Sequence, residues 1–163
     1  MVSDAYGYGP SLWVAPVLDE GAREREVTLP RGEWIESWSG AIVEGGSEVV
    51  VGAPLHLIPM WVRVGSIVVT YPAEHVARGL GDTAERERPL EATLWGYPRL
   101  GHTAARLADG TCMRWSDGEW SVSPERKVTF RTVTVEESAA VRRSPSRAPR
   151  REARTAPPTP TCP

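Results

Sequence analysis

Glu26-Val27-Thr28-Leu29-Pro30-Arg31-Gly32-Glu33-Trp34-Ile35-Glu36-Ser37-Trp38 is the stretch that decides the fold. Two short runs flank a Leu-Pro-Arg-Gly break, where proline withholds a ladder donor and glycine opens a turn. Neither run is long enough to show a helical period, so the spacing predicts strands over 26–29 and 34–38.

Outward from there the same punctuation repeats. Ser39-Gly40 and Gly45-Gly46 frame short hairpin connections, with strands expected over 48–51 and 60–69. Pro54 and Pro59 bracket an extended loop, and Gly65 marks a bulge or a close backbone contact inside an apolar run. Upstream, a strand over 12–18 is nearly continuous in apolar residues (Leu12, Trp13, Val14, Ala15, Pro16, Val17). Such a run suits a strand buried on both faces, and it reads as part of another structure. From Pro89 onward a meander is expected, with strands over 90–97, 103–108, 111–115, 119–122 and 127–135. Asp109-Gly110 and Asp117-Gly118 form its tight hairpins. Residues 73–88, polar and charged, read as a linker. The fold class is all-β.

The chain has 163 residues, 40% hydrophobic and 25% charged, an ordinary globular composition. It is too short for a catalytic barrel of roughly 250 residues. The net charge of -2 hides an asymmetry: residues 142–163 hold six arginines and one glutamate (+5), leaving 13 basic and 20 acidic residues (-7) before them. An acidic body gives no electrostatic reason to expect nucleic acid or an anionic membrane as partner. The tail's arginines, without interleaved aromatics, are a non-specific signal. Six of the fifteen prolines fall between Ser144 and Pro163, so residues 138–163 are expected to be disordered. The abrupt change after Val141 is also what out-of-frame translation would leave.

No apolar run approaches bilayer length, and residues 1–9 lack a basic region followed by an apolar stretch, so a cytoplasmic protein without membrane partners is expected. Cys112 and Cys162 make no disulfide framework and read as free thiols. His56, His75 and His102 are too widely spaced for a local ligand pair. Neither metal nor cofactor is expected.

Between Asp4 and Val69 the order of motifs resembles glycoside hydrolase family 31, the α-glucosidases and α-xylosidases. Tyr8-Gly9-Pro10-Ser11-Leu12-Trp13-Val14-Ala15-Pro16-Val17 resembles that family's last barrel strand. The following pieces resemble its proximal C-terminal β-domain: Val27-Thr28-Leu29-Pro30 with Gly32 and Trp34, Trp38-Ser39-Gly40, Gly45-Gly46, Ala53-Pro54-Leu55, Ile58-Pro59-Met60 and Val62-Arg63-Val64-Gly65-Ser66-Ile67-Val68. The resemblance covers 66 of the 163 residues. Two positions depart from the family pattern: Val69 stands where a proline is common, and Trp34-Ile35-Glu36 where Trp-Tyr-Asp is frequent. The organisation implied is a remnant barrel strand (1–20), a proximal β-sandwich (21–72), a linker (73–88), a reduced distal β-meander domain (89–137) and the tail (138–163).

The resemblance implies descent from enzymes that hydrolyse α-glycosidic bonds with retention, using a nucleophilic and an acid/base carboxyl about 5 Å apart. Those carboxylates sit on earlier barrel strands with no counterpart here, so the chain alone is expected to be inactive and to support a barrel structurally. Trp115-Ser116-Asp117-Gly118 imitates the family's Trp-x-Asp nucleophile motif but reads as a hairpin turn. Asp19-Glu20, Glu24 with Glu26, Glu33 with Glu36, and Glu136-Glu137 are the other acidic neighbours, read as solvated faces. The first strand, without barrel neighbours, is expected to expose Leu12, Val14, Ala15 and Val17 as an association hazard unless it packs on itself or a partner.

Seven tryptophans against one phenylalanine mainly serve two small cores. The alternative use is sugar stacking, for which Trp34 and Trp38, four apart on one expected strand and facing one side, are the candidates. The expected partners are therefore a (β/α)8 barrel chain or a carbohydrate.

Overall fold

At the Leu-Pro-Arg-Gly break the chain does turn. Strand β3 (Glu24–Thr28) ends just before it and β4 (Glu33–Glu36) begins just after. The computed structural model describes residues 4–77, 88–96, 98 and 100–134. The other strands of the first seventy residues are β1 (Tyr6–Tyr8), β2 (Leu12–Val14), β5 (Ile42–Glu44), β6 (Glu48–Gly52), β7 (Met60–Arg63) and β8 (Ser66–Thr70). A short helix α1 (Ala73–Ala77) precedes β9 (Leu90–Trp95), β10 (His102–Arg106), β11 (Cys112–Ser116), β12 (Glu119–Ser123) and β13 (Val128–Val133). Apart from that one helical turn inside the expected linker, the described residues are all-β. The expected tail, Glu136-Glu137 and Cys162 lie outside the described residues.

The described residues fall into two compact units, 4–64 and 65–134. Unit one is a sandwich. A five-stranded sheet in the order β1-β2-β7-β4-β5 shares its core with the two-stranded sheet β3-β6. Val27 and Val49 from the smaller sheet meet Trp34, Val43 and Trp61 from the larger, with Ala15 and Leu29 completing the cluster. Burial of these side chains stabilises the unit by roughly 1.5–3 kcal/mol for each large one.

The segment expected to be a barrel-strand remnant without neighbours has two. β1 folds back on β2 with Tyr6 opposite Val14, and β2 pairs antiparallel with β7, Trp13 opposite Trp61. Ser11 and Ala15 continue that ladder, accepting from Arg63 N at 2.9 Å and donating to Pro59 O at 3.0 Å. Burial on both faces, the reason for expecting an outside strand, holds inside this sheet: Ile35 and Val62 are buried on one face as Trp34 and Trp61 are on the other. The hazard is thereby reduced, with Ala15 fully buried and Leu12, Val14 and Val17 half-buried.

Gly45-Gly46 closes this unit for a reason of space. A Cβ on Gly45 would overlap the Pro30 carbonyl oxygen, the same oxygen that accepts the Trp34 indole N–H at 2.8 Å. Only glycine lets the β5–β6 connection approach so closely.

The single strand expected over 60–69 is two strands. Val64 N donates to Glu33 O at 2.9 Å within unit one, while Gly65 N donates to Trp95 O at 2.7 Å within unit two. Gly65 has φ 76° and a Cβ there would stand 2.6 Å from Pro98 Cα, so the close backbone contact read from the sequence is real.

In unit two, β8, β9 and β13 form a sheet with β9 central, antiparallel to β8 and parallel to β13. The alternation of Leu90, Ala92 and Leu94 points one face inward, against Ile67, Met113 and Trp115. Trp120 and Phe130 stack with centroids 4.6 Å apart beside this cluster. Only β10, β11 and β12 make the expected meander, with its two hairpins. Asp117 (φ 49°) and Gly118 (φ 95°) form the second as a two-residue turn with both φ positive. Cys112, read as a free thiol, is disulfide-bonded. Two cysteines carry no spacing signature, so sequence gave no sign of a single bond.

Candidate functional site

Trp34 and Trp38 do not share a strand. β4 ends at Glu36, and the pleat that would have placed residues four apart on one face ends with it. Trp34 points into the core, 1% exposed, with its indole N–H on Pro30 O, so it offers no ring face to a sugar. Trp38 lies in the following turn, 54% exposed.

That turn is built around Glu36. Its buried carboxylate accepts the backbone N–H of Ser39 at 2.7 Å and of Trp38 at 3.4 Å. Its backbone N–H donates to Ala41 O at 2.8 Å, and its carbonyl accepts from Gly40 N at 2.9 Å. Ser39 Oγ accepts from Ala41 N at 3.2 Å. A second segment holds the turn from the side, since Trp38 Nε1 donates to Ile58 O at 2.8 Å and Ser37 N to Met60 O at 2.9 Å. The Trp38 ring is thus pinned at its polar edge while more than half of the residue's surface stays exposed. Ile58 (55% exposed) and Leu55 (80% exposed) stand on the adjoining 53–59 loop.

Of the acidic residues weighed for catalysis, most sit in turns or on solvent-facing strand positions. Glu36 is used by its turn, whereas Glu24 and Glu26 occupy the solvent-facing positions of β3. Asp19 and Glu20 are exposed in the turn before β3. Asp117 is a turn residue whose carboxylate accepts from Ser116 Oγ at 3.1 Å.

The most constrained carboxylate is Asp109, which sequence marked only as a hairpin residue. It accepts from Thr111 N at 2.8 Å and pairs with Arg126, which also reaches Thr111 Oγ1 and Arg88 O. The Thr111 amide first, and the Arg126 guanidinium after it, hold its carboxyl below the ordinary range against the opposing effect of burial. This ties the β10–β11 turn to the segment between β12 and β13. His56 and His102 are exposed, and among the described residues no group of three His, Cys, Asp or Glu could hold a metal ion.

Of this turn and loop, Trp38 stood out in the sequence, whereas its partners Glu36 and Ile58, and the exposed Leu55 on the same loop as Ile58, did not. A signal was present in three apolar residues, Leu55, Leu57 and Ile58, inside a proline-bracketed loop and outside any strand period.

Comparison with known proteins gives this geometry its context. Residues 1–68 match the model of the glycosyl hydrolase family 31 C-terminal domain. An isomaltosyltransferase from Sporosarcina globispora is 34% identical over 67 residues, 41% of this chain and 6% of that protein. An α-glucosidase from Saccharolobus solfataricus is 39% identical over 67 residues, 41% of this chain and 9% of that protein. Among solved structures, the family 31 α-xylosidase from Xanthomonas citri superposes with a TM-score of 0.61 at 27% identity, over 83% of this chain and 16% of that one. This chain therefore spans less than a tenth of the length of those two curated relatives.

Proposed function

We propose that this chain, whose residues 1–68 carry the glycosyl hydrolase family 31 C-terminal domain, is a non-catalytic β-module that braces the barrel of an α-glycosidase acting on α-glucosides or α-xylosides. The observation that carries the reading is the proportion of the match: 83% of this chain corresponds to 16% of a family 31 α-xylosidase. The engagement of the buried Glu36 and half-buried Asp109 carboxylates within their own turns supports it, because retaining hydrolysis needs two carboxyls facing one bond. Unit two is then the reduced distal domain.

The test is hydrolysis of aryl α-glucoside and aryl α-xyloside by the purified chain, alone and after mixing with the barrel portion of a relative. Inactivity alone and activity after mixing is expected. Turnover by the chain alone would overturn the reading.

A second reading, a carbohydrate-binding module, is favoured by the exposed and pinned ring of Trp38, without Trp34. It predicts a change in tryptophan fluorescence on titration with α-linked oligosaccharides, and a flat response to a broad sugar panel removes it.

A further inference from the structure

Among the described residues nine large hydrophobic side chains are exposed, and seven of them lie within residues 4–64, the unit that carries the family match. Three of the seven, Trp38, Leu55 and Ile58, belong to the turn and loop joined by the Trp38–Ile58 hydrogen bond. The joint is preorganised, since Glu36 holds the turn from within and Ser37 ties it to Met60. An apolar group that is already fixed loses little entropy when a partner covers it.

The chemistry left outward selects the kind of partner. The indole N–H of Trp38 and the carboxylate of Glu36 are used inside the chain, so the indole ring and two aliphatic side chains are what the turn and loop expose as apolar surface, with Ser39 and His56 as exposed polar residues beside them in sequence. A sugar needs hydroxyl partners around its stacking face, whereas a tryptophan flanked by aliphatics is the composition of a protein interface core. We infer that the Trp38–Leu55–Ile58 surface is the docking contact for the remainder of a family 31 polypeptide, the part that lies outside the region equivalent to this chain. The occupant follows from proportion: in the α-xylosidase the region equivalent to this chain is 16% of one continuous polypeptide. The inference rests on the bracing reading and names the surface through which it acts.

The experiment measures binding of the full chain to the Xanthomonas citri α-xylosidase with its equivalent C-terminal region removed. Co-expression replaces mixing if that protein does not fold alone, with soluble recovery as readout. The Leu55→Asp/Ile58→Asp variant and the Trp38→Ala variant are compared with wild type and with a Val76→Asp/Leu100→Asp control, each first shown to keep its thermal transition. The expected result is a loss of affinity of roughly tenfold or more for the two patch variants, with the control unchanged. Equal binding by wild type and patch variants overturns the docking surface and leaves the bracing reading intact. No binding or co-recovery by wild type overturns both. If wild type self-associates without the relative and the patch variants do not, the occupant is a second copy. If α-linked oligosaccharides quench Trp38 in the chain alone, the occupant is a sugar. Either outcome also overturns the inference.

Discussion

Each of the two units must bury one face of a small sheet, and they leave different remainders. Unit one fills its core with Trp34 and Trp61 and still presents seven large hydrophobics outward. Unit two fills its core with Leu94, Met113 and Trp115, adds the Trp120–Phe130 stack, and shows only Val76 and Leu100 among its described residues. Filling a core and finishing a surface are therefore separate properties. The unit matching a domain found in much longer proteins is the one with the unfinished surface.

The contrast can be broken first at its centre. Trp61→Ala should destabilise unit one by about 3–5 kcal/mol through loss of packing and the cavity left behind. Hydrogen exchange of β9 amides should stay protected, and their simultaneous loss would show that the two units fold as one. Gly45→Ala should cost about 1–3 kcal/mol, because the Pro30 oxygen it meets is backbone and cannot swing aside. A calorimetric transition unchanged from wild type would contradict that approach.

In unit two, Arg126→Met should cost about 2 kcal/mol by leaving Asp109 half-buried without its cation, a value reduced from the fully buried case because Asp109 keeps some solvent. The same pair sets a pH dependence. Asp109 titrates lower folded than unfolded, so its contribution is complete above the unfolded value and is lost as pH falls below about 4, through the folded value. Urea midpoints of wild type and Asp109→Asn should converge in that acid window and separate above it; parallel curves would remove Asp109 as the source. The smallest effect belongs to the exposed patch, where Leu55→Asp should change stability by less than about 0.5 kcal/mol. A larger loss would mean that Leu55 packs within its own unit.

Local chemistry was legible in the sequence. Leu29-Pro30-Arg31-Gly32, Asp109-Gly110 and Asp117-Gly118 act within a few residues of themselves, and the structure turns at all three. Pairing between distant strands was not legible. Nothing local tells β2 to seek β7, or β13 to lie parallel to β9 across a whole meander. Trp34 and Trp38 fail for a related reason, since spacing implies a shared face only while the strand continues, and Glu36 ends it by folding its carboxylate over the amides of Trp38 and Ser39. The patch was partly legible: Trp38 stood out by residue type, whereas Leu55 and Ile58 gain meaning only once the loop is seen beside it.

The junction at Val64 and Gly65 bears on where this polypeptide can be shortened. A chain ended at the polar stretch after Pro72 would keep Ile67, Val68 and Val69 while discarding β9, the strand they pair with, and would carry a bare ladder ready to recruit another molecule. A break between Val64 and Gly65 separates two sets of amides that already answer to different partners, Glu33 and Trp95. The safe place to cut is inside the apolar run, at its glycine.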